Sequence, residues 1–109
     1  MVVVSVADFL QKARCFSKPD RQTERALAVR MRQGDAAARE QLIQGYLPQV
    51  AATVRRAPHP LQTLEMVMRC RQTLQRAVDK FDFLQNSETF THRLSLLLRQ
   101  TVIGYLAER

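Results

Sequence analysis

Residues 63–82 read TLEMVMRCRQTLQRAVDKFD, and this stretch decides the fold class. Its large apolar residues recur at intervals of three, four and seven, as on one face of an α-helix. They are Leu64, Val67, Leu74, Val78 and Phe81. Thr63 can accept a hydrogen bond from the free amide groups of the first turn, where Glu65 adds a favourable negative charge. The stretch therefore predicts an amphipathic helix with one buried face.

Similar patterns lie on both sides of this stretch. Upstream, residues 21–32 and 36–56 each predict a helix; Gly34 can end the first and Asp35 can cap the second. Downstream, Ser87 can cap a last helix, whose apolar stripe is Phe90, Leu94, Leu97, Leu98, Thr101 and Tyr105. Strand-like alternation of useful length is absent. We therefore predict an all-α protein, a compact bundle of four or five helices.

Residues 1–20 are predicted to form a separate N-terminal amphipathic arm. Phe9, Leu10 and Ala13 recur at helical spacing, with charged residues between them. Pro19 then disfavours helix at the residue before it, which places a break there. We therefore divide the chain into this arm and a helical domain over residues 21–109.

The composition limits the classes of function. The 109 residues suffice for one domain, and 17 Lys and Arg against 10 Asp and Glu give a net charge of +7. Such a surplus attracts nucleic acid, or alternatively an acidic protein. Cys15 and Cys70 are far apart and read as reduced thiols. Because no apolar run approaches the roughly 20 residues of a membrane span, we expect a cytoplasmic protein without a membrane partner.

Signals for an enzyme are weak. The three glycines are isolated, so no phosphate-binding loop is present, and His59 and His92 have no partner at a metal-binding spacing. Asp79 and Asp82 could form a catalytic pair of acids, but a helix-end charge cluster with Lys80 is the favoured interpretation. We therefore expect no catalytic activity, no metal site and no cofactor.

Three blocks of the sequence together resemble a known family. Residues 77–82 read AVDKFD, residues 28–43 read AVRMRQGDAAAREQLI, and Phe90-Thr91 stands nine residues before Arg99-Gln100. The same hexamer, a similar helix followed by Gly-Asp, and Phe-Ser nine residues before Arg-Gln mark the second conserved region of housekeeping-type bacterial RNA polymerase sigma factors. Over residues 24–106 the chain resembles this region.

The resemblance implies a helical bundle with one helix that docks on core RNA polymerase. In the family this helix binds the coiled coil of the β′ subunit. The positions that match it here are Glu65, Met68, Arg69 and Gln72. Glu65 keeps the family's acid, whereas Met68 stands in place of a glutamine and Arg69 in place of a glutamate.

The resemblance also implies that the last helix binds promoter DNA at the −10 element. The implied DNA-binding residues are Lys80, Arg93, Leu96, Leu97, Arg99 and Gln100. Arg93 replaces a tyrosine, and Leu96 and Leu97 replace paired tryptophans that hold the melted strand. Stacking on an aromatic ring contributes about 1–3 kcal/mol per base, which leucine does not provide. Arg99 and Gln100 keep groups that can contact a phosphate or a base edge.

Two functions stay open. The first is a sigma-factor-like transcription initiation protein that binds core RNA polymerase, promoter DNA or both. Because the family's −35-reading domain is not in this sequence, we expect a second protein to supply it. The alternative is a degenerate sigma-like module that regulates transcription by binding another protein, or its own copy, without melting a promoter. Leu96, Ile103 and residues 2–6 would then form an exposed apolar patch.

Overall fold

The computed structural model describes residues 2–85 and 87–108. These residues contain five α-helices and one short 3-10 helix. The α-helices are α1 (Val6–Ala13), α2 (Arg21–Arg32), α3 (Ala36–Arg56), α4 (Leu64–Lys80) and α5 (Phe90–Ala107), and the 3-10 helix is His59–Leu61. These residues contain no strand. The predicted all-α class is confirmed. None of the described helices is long and apolar enough to cross a membrane.

Local signals set most of the helix ends. Gly34 has a φ of +92°, in the left-handed region that favours glycine, and it follows α2. The Asp35 carboxylate accepts hydrogen bonds from two amides of the first turn of α3, and the Thr63 hydroxyl accepts one at the start of α4. The predicted cap Ser87 is wrong, because the Thr89 hydroxyl accepts the capping bond at the start of α5.

The later start of α5 follows from the packing of its first residue. Phe90 is 1% exposed, and its ring meets the buried Tyr46 ring edge-on, with 4.6 Å between the ring centroids. Phe81 and Phe83, from the loop after α4, pack on the same ring. Because the helix begins where the Phe90 ring enters this aromatic cluster, the nearest hydroxyl, that of Thr89, becomes the cap.

The core lies around α3, which packs against all four other α-helices. Nine residues of α3 are buried: Ala38, Leu42, Ile43, Gly45, Tyr46, Leu47, Val50, Ala51 and Val54. The predicted stripe of α5 faces this core, with Phe90, Leu94, Leu98 and Tyr105 buried and Leu97 and Thr101 half-buried. Burial of a leucine side chain contributes about 1.5–3 kcal/mol to folding. The stripe thus holds α5 against α3 and α4.

The segment predicted as an arm carries α1. Phe9 and Ala13 of α1 are buried in the same hydrophobic core as the other helices, and α1 packs against α3 and α4. The loop after α1 also lies close to α3: a Cβ atom added to Gly45 would stand 2.7 Å from the Cδ atom of Pro19. Phe9 and Ala13 of this segment therefore belong to the same hydrophobic core as the helices that follow.

The AVDKFD hexamer joins three helices. Asp79 makes two hydrogen bonds to Arg39 of α3, at 2.6 and 3.0 Å, and Asp82 binds Arg32 of α2 at 2.8 Å. The Arg39 guanidinium holds the pKa of the Asp79 carboxyl below its usual value. Because α4 ends at Lys80, the two carboxylates do not share a helical face. The predicted charge cluster with Lys80 is replaced by ion pairs to α2 and α3.

Candidate nucleic-acid and protein interface on α4 and α5

A groove opens between α4 and α5 at the end where α4 terminates. Its volume is about 650 Å³. Four of the six residues assigned to DNA line it, namely Lys80, Arg93, Leu97 and Gln100. The other two, Leu96 and Arg99, are exposed on α5 and do not line the groove. The structure therefore divides the predicted DNA-binding set between two surfaces.

The groove has an apolar floor and a cationic rim. Ala77, Phe81 and Leu97 form the apolar part of the lining. Arg76 and Lys80 are exposed at the rim, and within residues 2–85 and 87–108 neither forms an ion pair. Uncompensated cations beside an apolar floor suit a nucleic-acid strand, which carries a phosphate and a base in each unit.

Arg93, on the α5 side of the groove, is already paired. Its guanidinium donates to a Glu88 carboxylate oxygen from two nitrogens, at 2.8 and 3.2 Å. Asp82, which also lines the groove, has Arg32 as its cationic partner. The charges of Arg93 and Asp82 are thus offset nearby, and Arg76 and Lys80 carry the net positive charge of the groove.

Arg76 and Phe81 are two of the groove residues that were not among the predicted DNA-binding residues. Arg76 stands one helical turn before Lys80, and this i, i+4 spacing on α4 is a signal that could have placed both on one face. Phe81 brings an aromatic ring to the lining, where it is half-buried beside Phe83 and Phe90. Its position depends on the loop after α4, so the spacing of the sequence does not reveal it.

The four predicted docking residues share the outward side of α4. Glu65, Met68 and Gln72 are exposed and Arg69 is half-buried. The Met68 side chain is 53% exposed. The helical spacing of three, four and seven thus brings the whole predicted set together, and it separates the set from the buried face of α4.

Arg69 is held by carboxylates of this chain. Its Nη2 lies 3.1 Å from a Glu65 oxygen and 2.7 Å from a Glu108 oxygen, and its guanidinium carbon is 5.1 Å from the centre of the Tyr105 ring. Arg69 holds the pKa of the Glu108 carboxyl below its usual value. The Tyr105 hydroxyl, in turn, pairs with Thr63 at 2.7 Å. The positive charge of Arg69 is therefore offset by carboxylates of this chain.

The outward side of α5 carries exposed apolar residues. Leu96, Ile103 and Leu106 are 41%, 57% and 53% exposed. Val2 and Val4, which were predicted to join them in one patch, are also exposed, but they precede α1, which packs against α3 and α4. Leu96, Ile103 and Leu106 share one helix, and we refer to these three residues as the α5 stripe.

The other chemistry-bearing side chains occupy ordinary positions. Residues 2–85 and 87–108 contain no group of three or more His, Cys, Asp or Glu side chains that could hold a metal ion. Cys70 is buried in α4, and burial raises the pKa of its thiol to about 11, so it is protonated at neutral pH. His59 and His92 are exposed on different helices.

No protein-family model, curated protein or solved structure matches this chain. The resemblance of residues 24–106 to sigma factors therefore stays a prediction from the sequence. The structure adds the arrangement of the predicted site residues. Glu65, Met68, Arg69 and Gln72 share the outward side of α4, four of the six predicted DNA-binding residues line the groove, and Leu96 and Arg99 are exposed on α5.

Proposed function

We propose that this chain is a sigma-factor-like transcription initiation protein that binds core RNA polymerase through the outward face of α4 and −10 promoter DNA through the α4–α5 groove. The observation that carries the proposal is the groove. It gathers four residues that the sequence motifs assign to DNA, and it adds Arg76 at the rim and Phe81 at the floor.

The groove chemistry suits one nucleic-acid strand. Side chains four residues apart on a helix have Cβ atoms about 5–6 Å apart, so Arg76 and Lys80 can contact neighbouring phosphates. The floor offers a base the apolar surfaces of Leu97 and Phe81. Phe81 has the π-face that Leu96 and Leu97 lack, and a stacked base contributes about 1–3 kcal/mol. Phe81 would thus take over part of the role of the family's tryptophans.

The docking face supports the polymerase half of the proposal. An exposed arginine where a partner expects an acid would bring like charges together, which is unfavourable at an interface. Here the charge of Arg69 is offset by Glu65 and Glu108. Met68 and Gln72 are left as exposed, uncharged contact residues on the same face. The substitution at Arg69 is therefore compatible with docking.

The test is capture of purified bacterial core RNA polymerase by the tagged protein. We expect capture by the natural chain and its loss in Met68→Lys. Val29→Lys is the matched control, because Val29 is an exposed apolar residue on α2 and the change adds the same charge. Docking through α4 is refuted if the natural chain captures no polymerase, or if both variants bind as the natural chain does.

A second candidate is a sigma-like module that regulates transcription by binding another protein without melting a promoter. The exposed stripe on α5 favours it, since Leu96 stands where the family has a strand-holding aromatic. This candidate predicts that the chain binds neither core polymerase nor single-stranded −10 DNA. Capture of polymerase together with groove-dependent DNA binding would exclude it.

A further inference from the structure

The α5 stripe, Leu96, Ile103 and Leu106, is a surface separate from the groove and from the docking face. None of the three residues lines the groove. They stand seven and three residues apart, a spacing that keeps them on one side of a helix. From Leu96 to Leu106 the helix rises by ten residue steps, or about 15 Å at 1.5 Å per step. Its length and narrow width match one helix laid against another.

The charges around the α5 stripe select among possible occupants. The helix Phe90–Ala107 contains no aspartate or glutamate. Arg99 lies between Leu96 and Ile103 along the helix, and within residues 2–85 and 87–108 it forms no ion pair. A second copy of the chain would bring another Arg99 and another net charge of +7 to the same contact, which is unfavourable. An occupant with carboxylates beside its apolar residues complements this charge.

We propose that the α5 stripe binds an acidic amphipathic helix of another protein. Apolar side chains of that helix pack over Leu96, Ile103 and Leu106, and a flanking carboxylate pairs with Arg99. Recognition of this kind uses apolar anchors at helical spacing for affinity and the flanking charges for selection. The inference goes beyond the proposed function and does not rest on it, because it uses neither the groove nor the outward face of α4.

The test uses synthetic fourteen-residue peptides labelled with a fluorophore, with binding followed by anisotropy. The probe carries leucines at helical spacing with glutamates at the other positions. One control peptide replaces the glutamates by lysines, and a second replaces the leucines by alanines. We expect binding of the probe alone, and at least about tenfold weaker binding to Ile103→Glu and to Leu96→Glu.

Matched variants separate the stripe from general charge effects. Val29→Glu introduces the same charge at an exposed apolar position on α2 and should bind the probe as the natural chain does. Lys80→Ala, in the groove, should also leave peptide binding unchanged, so a failure of the DNA proposal is distinguishable from a failure of this one. Because Leu96 and Ile103 are exposed, their variants should keep the helical circular dichroism and melting temperature of the natural chain.

Three outcomes would overturn the inference. Equal binding of the alanine peptide would show that charge alone attracts the probe. Equal binding of the lysine peptide would show that Arg99 does not select for carboxylates in the bound helix. A dimer in sedimentation velocity that Ile103→Glu dissociates would show that the occupant is a second copy of the chain.

Discussion

The two ends of the α4–α5 pair differ in how their charges are satisfied. Where α4 begins, Arg69 contacts two carboxylates and the Tyr105 ring, so α5 is tied to α4. Where α4 terminates, Arg76 and Lys80 have no acidic partner among the described residues, and both line the groove. The net charge of +7 does not distinguish these two kinds of cation. The first kind links helices, and the second can contact a polyanion.

The same difference separates the cations that were predicted to bind partners. Arg69 and Arg93 are both held by carboxylates of this chain. Lys80 and Arg99 are exposed, and they form no ion pair within residues 2–85 and 87–108. Two of the four cations therefore have partners within the fold, and the other two are accessible to another molecule.

The largest effect is expected on folding stability, because both ends of the α4–α5 pair depend on the same buried packing. Leu74 is fully buried midway along α4. We expect Leu74→Ala to lower the free energy of unfolding by about 2–5 kcal/mol, because it removes buried methyl groups and leaves a cavity. Urea denaturation measures this loss. Leu106→Ala, at an exposed position, is the control and should change stability by less than about 0.5 kcal/mol. Equal losses would refute the assignment of the core.

The groove end of the α4–α5 pair is tested by removing the positive charges of Arg76 and Lys80. We expect Arg76→Gln with Lys80→Gln to weaken binding of a single-stranded −10 oligonucleotide about tenfold or more. The slope of log affinity against log salt concentration should also fall by about 1.4, since each phosphate contact on a single strand contributes about 0.7. Arg55→Gln with Arg56→Gln is the matched control, because both residues are exposed at the end of α3. Equal loss in the control pair would mean that only the net charge matters.

A smaller effect on stability is expected for the Arg39–Asp79 ion pair, which links α3 to α4. Asp79→Asn should cost no more than about 1 kcal/mol at neutral pH, because the Asp79 and Arg39 side chains are 48% and 38% exposed and solvent screens the pair. The pKa of Asp79 is lowered in the folded state, so its contribution is present above the ordinary value of 3.8 and is lost as the pH falls through the lowered pKa. Urea denaturation over a range of pH should show the difference between the two proteins at pH 7 and its decrease as the pH falls below 3.8. A difference that persists in acid would contradict the ion-pair explanation.

The smallest effect on stability is expected near the start of α4, where Arg69 is paired with carboxylates. Arg69→Gln should lower the melting temperature slightly and leave oligonucleotide affinity unchanged, because its partners Glu65 and Glu108 are exposed and the residue lies outside the groove. The pKa of Glu108 is lowered in the folded state, so the difference in melting temperature should be present above the ordinary value of 4.5 and shrink as the pH falls through the lowered pKa. A loss of DNA affinity as large as that of the rim variant would remove the distinction between the two ends.

Local signals predicted the helices. The bounds of α2 and α3 follow from their apolar spacing and from Gly34 and Asp35, and the structure confirms both. The start of α5 was missed because Ser87 and Thr89 offer the same capping hydroxyl, and the packing of Phe90 against Tyr46 decides between them. Helical spacing also places Glu65, Met68, Arg69 and Gln72 on one side of α4, whereas their docking role comes from the resemblance and stays a prediction.

The sequence by itself determined which segments form helices and which side of each helix is apolar, because backbone hydrogen bonds and side-chain spacing act within a few residues. Only the tertiary structure decided which cations pair with acids far away in the chain. Arg69 meets Glu108 and Asp79 meets Arg39 because α4 packs against both α3 and α5. The division of the predicted DNA-binding residues also depends on that packing, because the groove is lined by residues of α4, of α5 and of the loop that follows α4.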